Sequence, residues 1–169
     1  MPLTPELSTD RLILEPLRIE HADDMVAVLA PRELYTYYPE QDSPTLDELR
    51  ATYARQTRGH SQDGTQTWHN WIIRSRSANE VIGFIQVTVT EDRAEIAWVV
   101  GVPWQGLGYA SEAARAVRDA CLRGETDQTV VDVFCHIAPG HTRSERVARA
   151  LGLHPTDTWH DGEIRWERA

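Results

Sequence analysis

The chain has 169 residues, 41% hydrophobic and 25% charged, with a formal charge of −9. That size and balance suit one globular domain, expected to span residues 1–169, with apolar side chains enough for a buried core. The acidic balance argues against a nucleic-acid partner, which would need a basic face, and the longest apolar run, near Ile96–Val102, falls far short of the roughly 18 residues of a membrane span.

The opening Met1-Pro2-Leu3-Thr4-Pro5-Glu6 has no basic start and no apolar stretch. No secretory leader is therefore expected, and the cytoplasm is the expected location. Leu12 to Leu17 reads as a strand running up to Pro16. From His21 to Ala30, the spacing of Ala22, Met25, Val26 and Leu29 predicts an amphipathic helix stopped by Pro31. An irregular stretch follows to Pro44, carrying Tyr35, Tyr37, Tyr38 and Glu40. Thr45 to Arg58 reads as a second helix, with Gly59 at its C-terminal cap. Trp68–Arg74 and Val81–Thr90 form a predicted hairpin, and Arg93–Val102 a third strand of the same meander. Leu107–Arg123 is the clearest helix: Ala110, Ala113, Ala114, Val117, Ala120 and Cys121 share one face. The apolar run Thr129–Ile137 predicts a strand covered on both faces. Thr142–Leu151 is a last helix, and Asp161-Gly162 a tight turn between two final strands. Strands cluster centrally and helices separate the later ones, which indicates an α+β, mixed α/β sheet and not a doubly wound one.

The chain has no lysine, so neither a Schiff-base amine nor a P-loop lysine is available. Cys121 and Cys135 lack a Cys-x-x-Cys spacing and read as small core residues. His136 and His141 with Cys135 match no zinc template, and no metal is expected.

Chemistry concentrates in one stretch. A strand ending in Val100-Gly101-Val102 runs through Pro103-Trp104-Gln105-Gly106-Leu107-Gly108 into the helix opened by Tyr109-Ala110-Ser111. The first amides of a helix lack internal partners, and the helix dipole adds positive charge there. A diphosphate suits such a place, and glycines let it approach the backbone. Gly106-Leu107-Gly108 also mimics the start of a dinucleotide fingerprint, but it falls too late in the chain for the repeated βαβ units.

Gln105-Gly106-Leu107-Gly108-Tyr109-Ala110 resembles the diphosphate loop of GNAT superfamily N-acetyltransferases, Gln/Arg-x-x-Gly-x-Gly/Ala. Thr9-Asp10-Arg11-Leu12-Ile13-Leu14 and the segment from His136 to Ala148 resemble the ribosomal-protein-alanine N-acetyltransferase branch. The three segments in this order span nearly the whole chain.

The resemblance implies a mostly antiparallel, splayed sheet flanked by helices, with acetyl-CoA as cosubstrate. It implies that Val100, Gly101 and Val102 meet the pantetheine arm, with an amide near Val100 facing the thioester oxygen. It implies that Gln105, Gly106, Leu107, Gly108, Tyr109, Ala110 and Ser111 hold the diphosphate. Many relatives carry Asn where His141 stands, so a cofactor contact and a plain neighbour of a helix cap both stay open for it.

Attack on a thioester needs a neutral amine. Glu95, on the strand leading to the loop, is the candidate base; its alternative is an exposed carboxylate paired to an arginine. Ser144 and Tyr109 are candidate donors to the thiolate, against a polar first-turn residue and a packing ring. Trp71 and Trp98, with Trp68, are candidates for an aromatic wall of the acceptor pocket or for core packing. Tyr37, Tyr38 and Glu40 are candidate acceptor contacts. The expected partner is a small-molecule amine or a protein N-terminus, with no nucleic acid and no membrane. Domains of this family frequently pair, which leaves a homodimer open. The rival class is a non-catalytic acyl-CoA-binding module of the same fold.

Overall fold

The computed structural model describes residues 3–169. Met1 and Pro2, part of the segment read for a leader, lie outside the described residues.

Eight strands form one sheet. In chain order they are β1 (Leu7–Ser8), β2 (Leu12–Pro16), β3 (Gln66–Ser75), β4 (Val81–Thr90), β5 (Arg93–Val100), β6 (Asp132–Ile137), β7 (Leu153–His160) and β8 (Glu163–Arg168). The helices are α1 (Ala22–Val28), α2 (Leu46–Gln56), α3 (Tyr109–Leu122) and α4 (Thr142–Ala150). Across the sheet the order is β1-β2-β3-β4-β5-β6-β8-β7, and every neighbouring pair is antiparallel except β5 with β6. Among the described residues no helix is long and apolar enough to cross a membrane.

The mixed α/β reading holds, and most boundaries fall within two residues of the expected ones. Alternation along the strands splits the core into two layers. On one face Leu12, Leu14, Ile73, Ile85, Ile96 and Cys135 pack under α3 and α4. On the other, Ile72, Phe84 and Val99 pack under α1 and α2, through Ala22, Met25, Leu49 and Tyr53. The buried stripe of α3 is Ala113, Ala114, Val117, Ala120 and Cys121; its small side chains let the helix lie close to the sheet.

Four local departures have physical causes. The first predicted helix opens as a 3-10 turn, Ile19–His21, and is regular only to Val28, two residues short of Ala30, which Pro31 disfavours as helical. β5 ends at Val100, and Pro103, which has no amide hydrogen to donate, lies in a 3-10 turn, Val102–Trp104. α3 begins at Tyr109 and not Leu107, because Gly108 caps it in the left-handed conformation, φ +83°. β6 is not covered on both faces: Val133, Cys135 and Ile137 are buried, while Asp132, Phe134 and His136 are half-exposed.

The parallel pair decides the architecture of the site. β5 and β6 pair only at Arg93–Asp132, Ala94–Val133 and Glu95–Phe134. Beyond Glu95, β5 stays with β4 up to Gly83–Val100, while Cys135, His136 and Ile137 of β6 pair with β8. The two strands therefore diverge toward their C-terminal ends. From those ends the chain runs into α3 and into α4.

Candidate active site

A gap between the C-terminal ends of two parallel strands, flanked by two helix N-termini, favours an anion and an extended ligand. The α3 side is built from main chain. Gly106 and Gly108 have φ of +78° and +83°, conformations that L side chains rarely adopt. They let the loop turn sharply into α3. The first helical amide with an acceptor is that of Glu112, on Gly108 O at 3.1 Å. Among the described residues, none is found for the N–H groups of residues 106–111. A Cβ on Gly106 would meet nothing within 4 Å, so the loop is open to a ligand.

Two guanidinium groups flank this loop. Arg143 of α4 donates to Gln105 Oε1. Arg11 donates through Nη1 to Leu107 O (2.9 Å) and lies 4.4 Å from the centroid of the Tyr109 ring. Arg11 is itself held by Glu112, whose carboxylate accepts from its Nε at 2.8 Å, from its amide at 3.1 Å, and from the Thr9 hydroxyl. Burial alone would raise the Glu112 pKa; these donors outweigh it and hold the group below its ordinary value. The Thr9-Asp10-Arg11 segment thus braces the first turn of α3. Free amides, glycines and two cations fit a diphosphate.

On the β5 edge, Gly101 donates its N–H to Ile82 O (2.8 Å) and so faces β4. Peptide groups alternate along a strand, which turns the N–H and C=O of Val100 toward the gap. Val100 O accepts there from Gln105 Nε2 at 2.9 Å. Gly101, expected as a cofactor contact, has its amide taken by β4. It is glycine because a Cβ would lie 2.8 Å from the Trp104 ring.

Across the gap, Glu95 Oε1 lies 2.6 Å from His136 Nδ1. The Glu95 side chain is 36% exposed and that of His136 9%. Glu95 and Phe134 are register partners, so His136, two residues on, shares their face. Its ring meets Phe134 edge-on at 5.7 Å and lies 5.2 Å from that of His160. His136 is the residue that sequence reasoning missed: only the register of β5 and β6 brings it to Glu95. The partner of Glu95 is a histidine and not the arginine considered for it.

His141 caps α4: its Nδ1 accepts from the Ser144 N–H at 3.5 Å, and its Nε2 lies 3.2 Å from Ser144 Oγ. Burial, then the Arg143 charge, push its pKa down, which favours the neutral ring that can accept. Tyr37 stacks on it at 4.3 Å. The next residue, Tyr38, donates to Glu163 Oε2 at 2.9 Å. Consecutive tyrosines thus tie the loop between α1 and α2 to α4 and to β8. Burial raises the pKa of the Tyr38 hydroxyl, and Glu163 and the exposed Glu40 add to it. Tyr109 is half-buried and packs its ring on the core layer under α3.

Beneath that loop is a cavity of about 350 Å³ between α1, α2 and the sheet. Leu29, Leu49, Ile72, Phe84 and Val99 line it, with Tyr35, Tyr38 and Tyr53. A smaller recess of about 160 Å³, bordered by Arg55, Trp68 and Thr88, adjoins it. Gln56, Asn70 and Gln86 border both.

The three tryptophans expected in an aromatic wall do not share one face of the sheet. Trp68 and Trp71 are three apart on one strand and so point to opposite faces. Trp71 borders the cavity, yet its side chain is fully buried with the α3 layer, and its indole donates to Pro5 O at 2.7 Å. Trp98, paired with Ile85, packs on that same layer. Cys121 and Cys135 are buried, and burial pushes both thiols up to about 12. Among the described residues no group of three or more His, Cys, Asp or Glu is placed to hold a metal ion.

A family model described as an acetyltransferase (GNAT) domain matches residues 11–154. No curated protein matches the chain. Among solved structures, a GNAT-family acetyltransferase from Bacillus anthracis matches with a TM-score of 0.76 at 17% identity, covering 96% of each chain. RimL, a ribosomal L7/L12 alpha-N-protein acetyltransferase in complex with coenzyme A, matches with a TM-score of 0.74 at 13% identity, again over 96% of each chain. A spermidine N-acetyltransferase SpeG chimera from Vibrio cholerae and hSSAT matches with a TM-score of 0.70 at 15% identity, over 93% of this chain and 94% of that one. At such identities these likenesses concern the fold.

Proposed function

The chain belongs to the GNAT acetyltransferase family, and on that premise we propose that it is an acetyl-CoA-dependent N-acetyltransferase acting on a primary amine as one unit over residues 1–169. The acceptor is a small-molecule amine or a protein N-terminus, and the proposed setting is the cytoplasm. One observation carries this reading: unpartnered amides at the start of α3 lie beside a gap between parallel strands, with a histidine-bound carboxylate across it.

Acetyl-CoA supplies an activated acyl group on a thiol leaving group. The amides of residues 106–111, with Arg11 and Arg143 beside them, bind its diphosphate, and the Val100 edge of β5 pairs with its pantetheine arm. Glu95 takes one proton from the substrate ammonium, directly or through a water, and leaves a neutral nitrogen lone pair. His136 holds one oxygen of Glu95 and leaves the other free for that proton. Nitrogen then bonds to the carbonyl carbon while the Val100 N–H faces the oxygen that gains charge; one such donor is worth about 10²–10³ in rate. The carbon–sulfur bond breaks, and Ser144 Oγ passes a proton to sulfur, replaced by the second proton that nitrogen sheds. The balance is one acetamide, one free thiol, and one proton left on Glu95 for solvent.

The Glu95–His136 contact favours an enzyme over a binding module, since a carboxylate used only for solubility needs no histidine against it. Calorimetry with acetyl-CoA, followed by thiol release with a panel of amines, tests the proposal. Tight binding with no turnover on any amine would leave the binding module.

A further inference from the structure

Resting on that reading, we propose that the acceptor is a free α-amino acid with a large apolar side chain. The cavity under α1 and α2 and its adjoining recess differ in chemistry. The cavity, about 350 Å³, has apolar walls from Leu29, Leu49, Ile72, Phe84 and Val99. It suits an aliphatic or aromatic group, whose burial contributes about 1.5–3 kcal/mol, and it offers a second ammonium no charged group but the exposed Asp42. The recess, about 160 Å³, is polar and is bordered by the exposed Arg55, a guanidinium with no ion-pair partner among the described residues. An unpaired guanidinium beside neutral amides selects a carboxylate and repels a polyamine.

The shared border fixes how the parts of one molecule would lie. Gln56, Asn70 and Gln86 edge both spaces. Gln86 is the register partner of Ala97, which lies two residues from Glu95 on the same face, and Thr88 of the recess is the register partner of Glu95 itself. A tetrahedral carbon over the three amides could send an apolar group toward Phe84 and Val99, a carboxylate toward Arg55, and an amine toward Glu95. Those are the three substituents of an α-amino acid. A peptide N-terminus has an amide where this arrangement calls for a carboxylate.

The test is thiol release from acetyl-CoA with L-leucine, L-phenylalanine, L-leucinamide, spermidine and an alanine-initiated peptide. The expected result is turnover of leucine and phenylalanine, with kcat/KM at least about ten-fold above leucinamide. Arg55→Gln should remove the advantage of leucine over leucinamide while the acetyl-CoA Kd, read by calorimetry, stays within about two-fold. Equal turnover of leucine and leucinamide overturns the proposal, as does preference for spermidine or the peptide, or a leucine preference that survives Arg55→Gln. A protein that binds acetyl-CoA yet turns over neither amino acid also overturns it. Loss of acetyl-CoA binding in the unaltered protein overturns the acetyltransferase reading beneath it, and so the two failures are told apart.

Discussion

Glu95 and His136 meet at 2.6 Å from two strands that pair for only three residues. The contact sits where β5 and β6 begin to part, so it closes the narrow end of the gap. A carboxylate oxygen accepts, so the His136 Nδ1 carries the hydrogen and fixes the orientation of Glu95. Glu95→Gln should lower kcat by about 10²–10⁴, the usual worth of a positioned base, with an unchanged acetyl-CoA Kd. Full activity of that variant from pH 6 to 9 would remove Glu95 from the base role. His136 acts through Glu95 as a positioning residue. His136→Phe should lower kcat with little change in KM, whereas His136→Asn, whose amide can donate from the same place, should recover most of it. Equal loss in both variants would indicate packing alone.

Gly108 bears on the anion site in two ways. Its φ of +83° sets the left-handed turn that opens α3, and a Cβ there would sit 3.4 Å from the Arg11 guanidinium. Gly108→Val therefore combines backbone strain of about 1–3 kcal/mol with a branched side chain beside the site of the diphosphate. Acetyl-CoA affinity should fall by more than the loss of thermal stability accounts for. An unchanged Kd in calorimetry would move the diphosphate elsewhere.

Much of this site was legible in the sequence because it is local. The strand, the glycine loop and the helix that builds on them are contiguous, so Gln105 to Ser111 could be read as one anion site. The Asp161-Gly162 turn was legible for the same reason, since both residues adopt positive φ, 48° and 80°. What escaped depends on register or on parity. Nothing in the order of residues aligns Glu95 with Phe134, and His136 is invisible without that alignment. Trp71 and Trp98 looked like candidates for a wall because strands of one meander carry them; which face each occupies is decided by alternation counted from the hairpin. Arg11 was legible as part of a motif, but its bond to Glu112 joins residues 101 apart.

That long-range brace makes a prediction of its own. Glu112 accepts three hydrogen bonds from Thr9 and Arg11, and its side chain is 17% exposed. Glu112→Leu leaves those donors unpaired and should destabilise the fold by about 1–3 kcal/mol. It should also weaken acetyl-CoA binding, because the first turn of α3 loses its anchor. A variant with unaltered urea midpoint and unaltered Kd would show the brace to be idle.

Acid should destabilise the protein well above the carboxylate range. His69 is fully buried; Gln128 Oε1 accepts from its Nε2 at 2.8 Å, so its Nδ1, 2.8 Å from the Thr4 hydroxyl, accepts in turn. Both places are filled by a neutral ring. Burial pushes its pKa below 6.5, against the opposing effect of Gln128, and burial does the same at His21 and His141. Each folded pKa is thus depressed relative to the unfolded chain. Below pH 6.5 the unfolded chain takes up protons that the folded protein resists, so stability is complete above that pH and is lost as pH falls toward the folded values. Glu15 and Glu112, whose pKa values also lie below the ordinary one, extend the loss only below about pH 4.5. Urea midpoints should therefore drop between pH 7.5 and 5.5, before either carboxylate titrates. His69→Gln should show a shallower drop over that window, since one of the three histidines no longer contributes. A midpoint constant from pH 7.5 to 5.5 would mean that the three rings protonate as easily folded as unfolded.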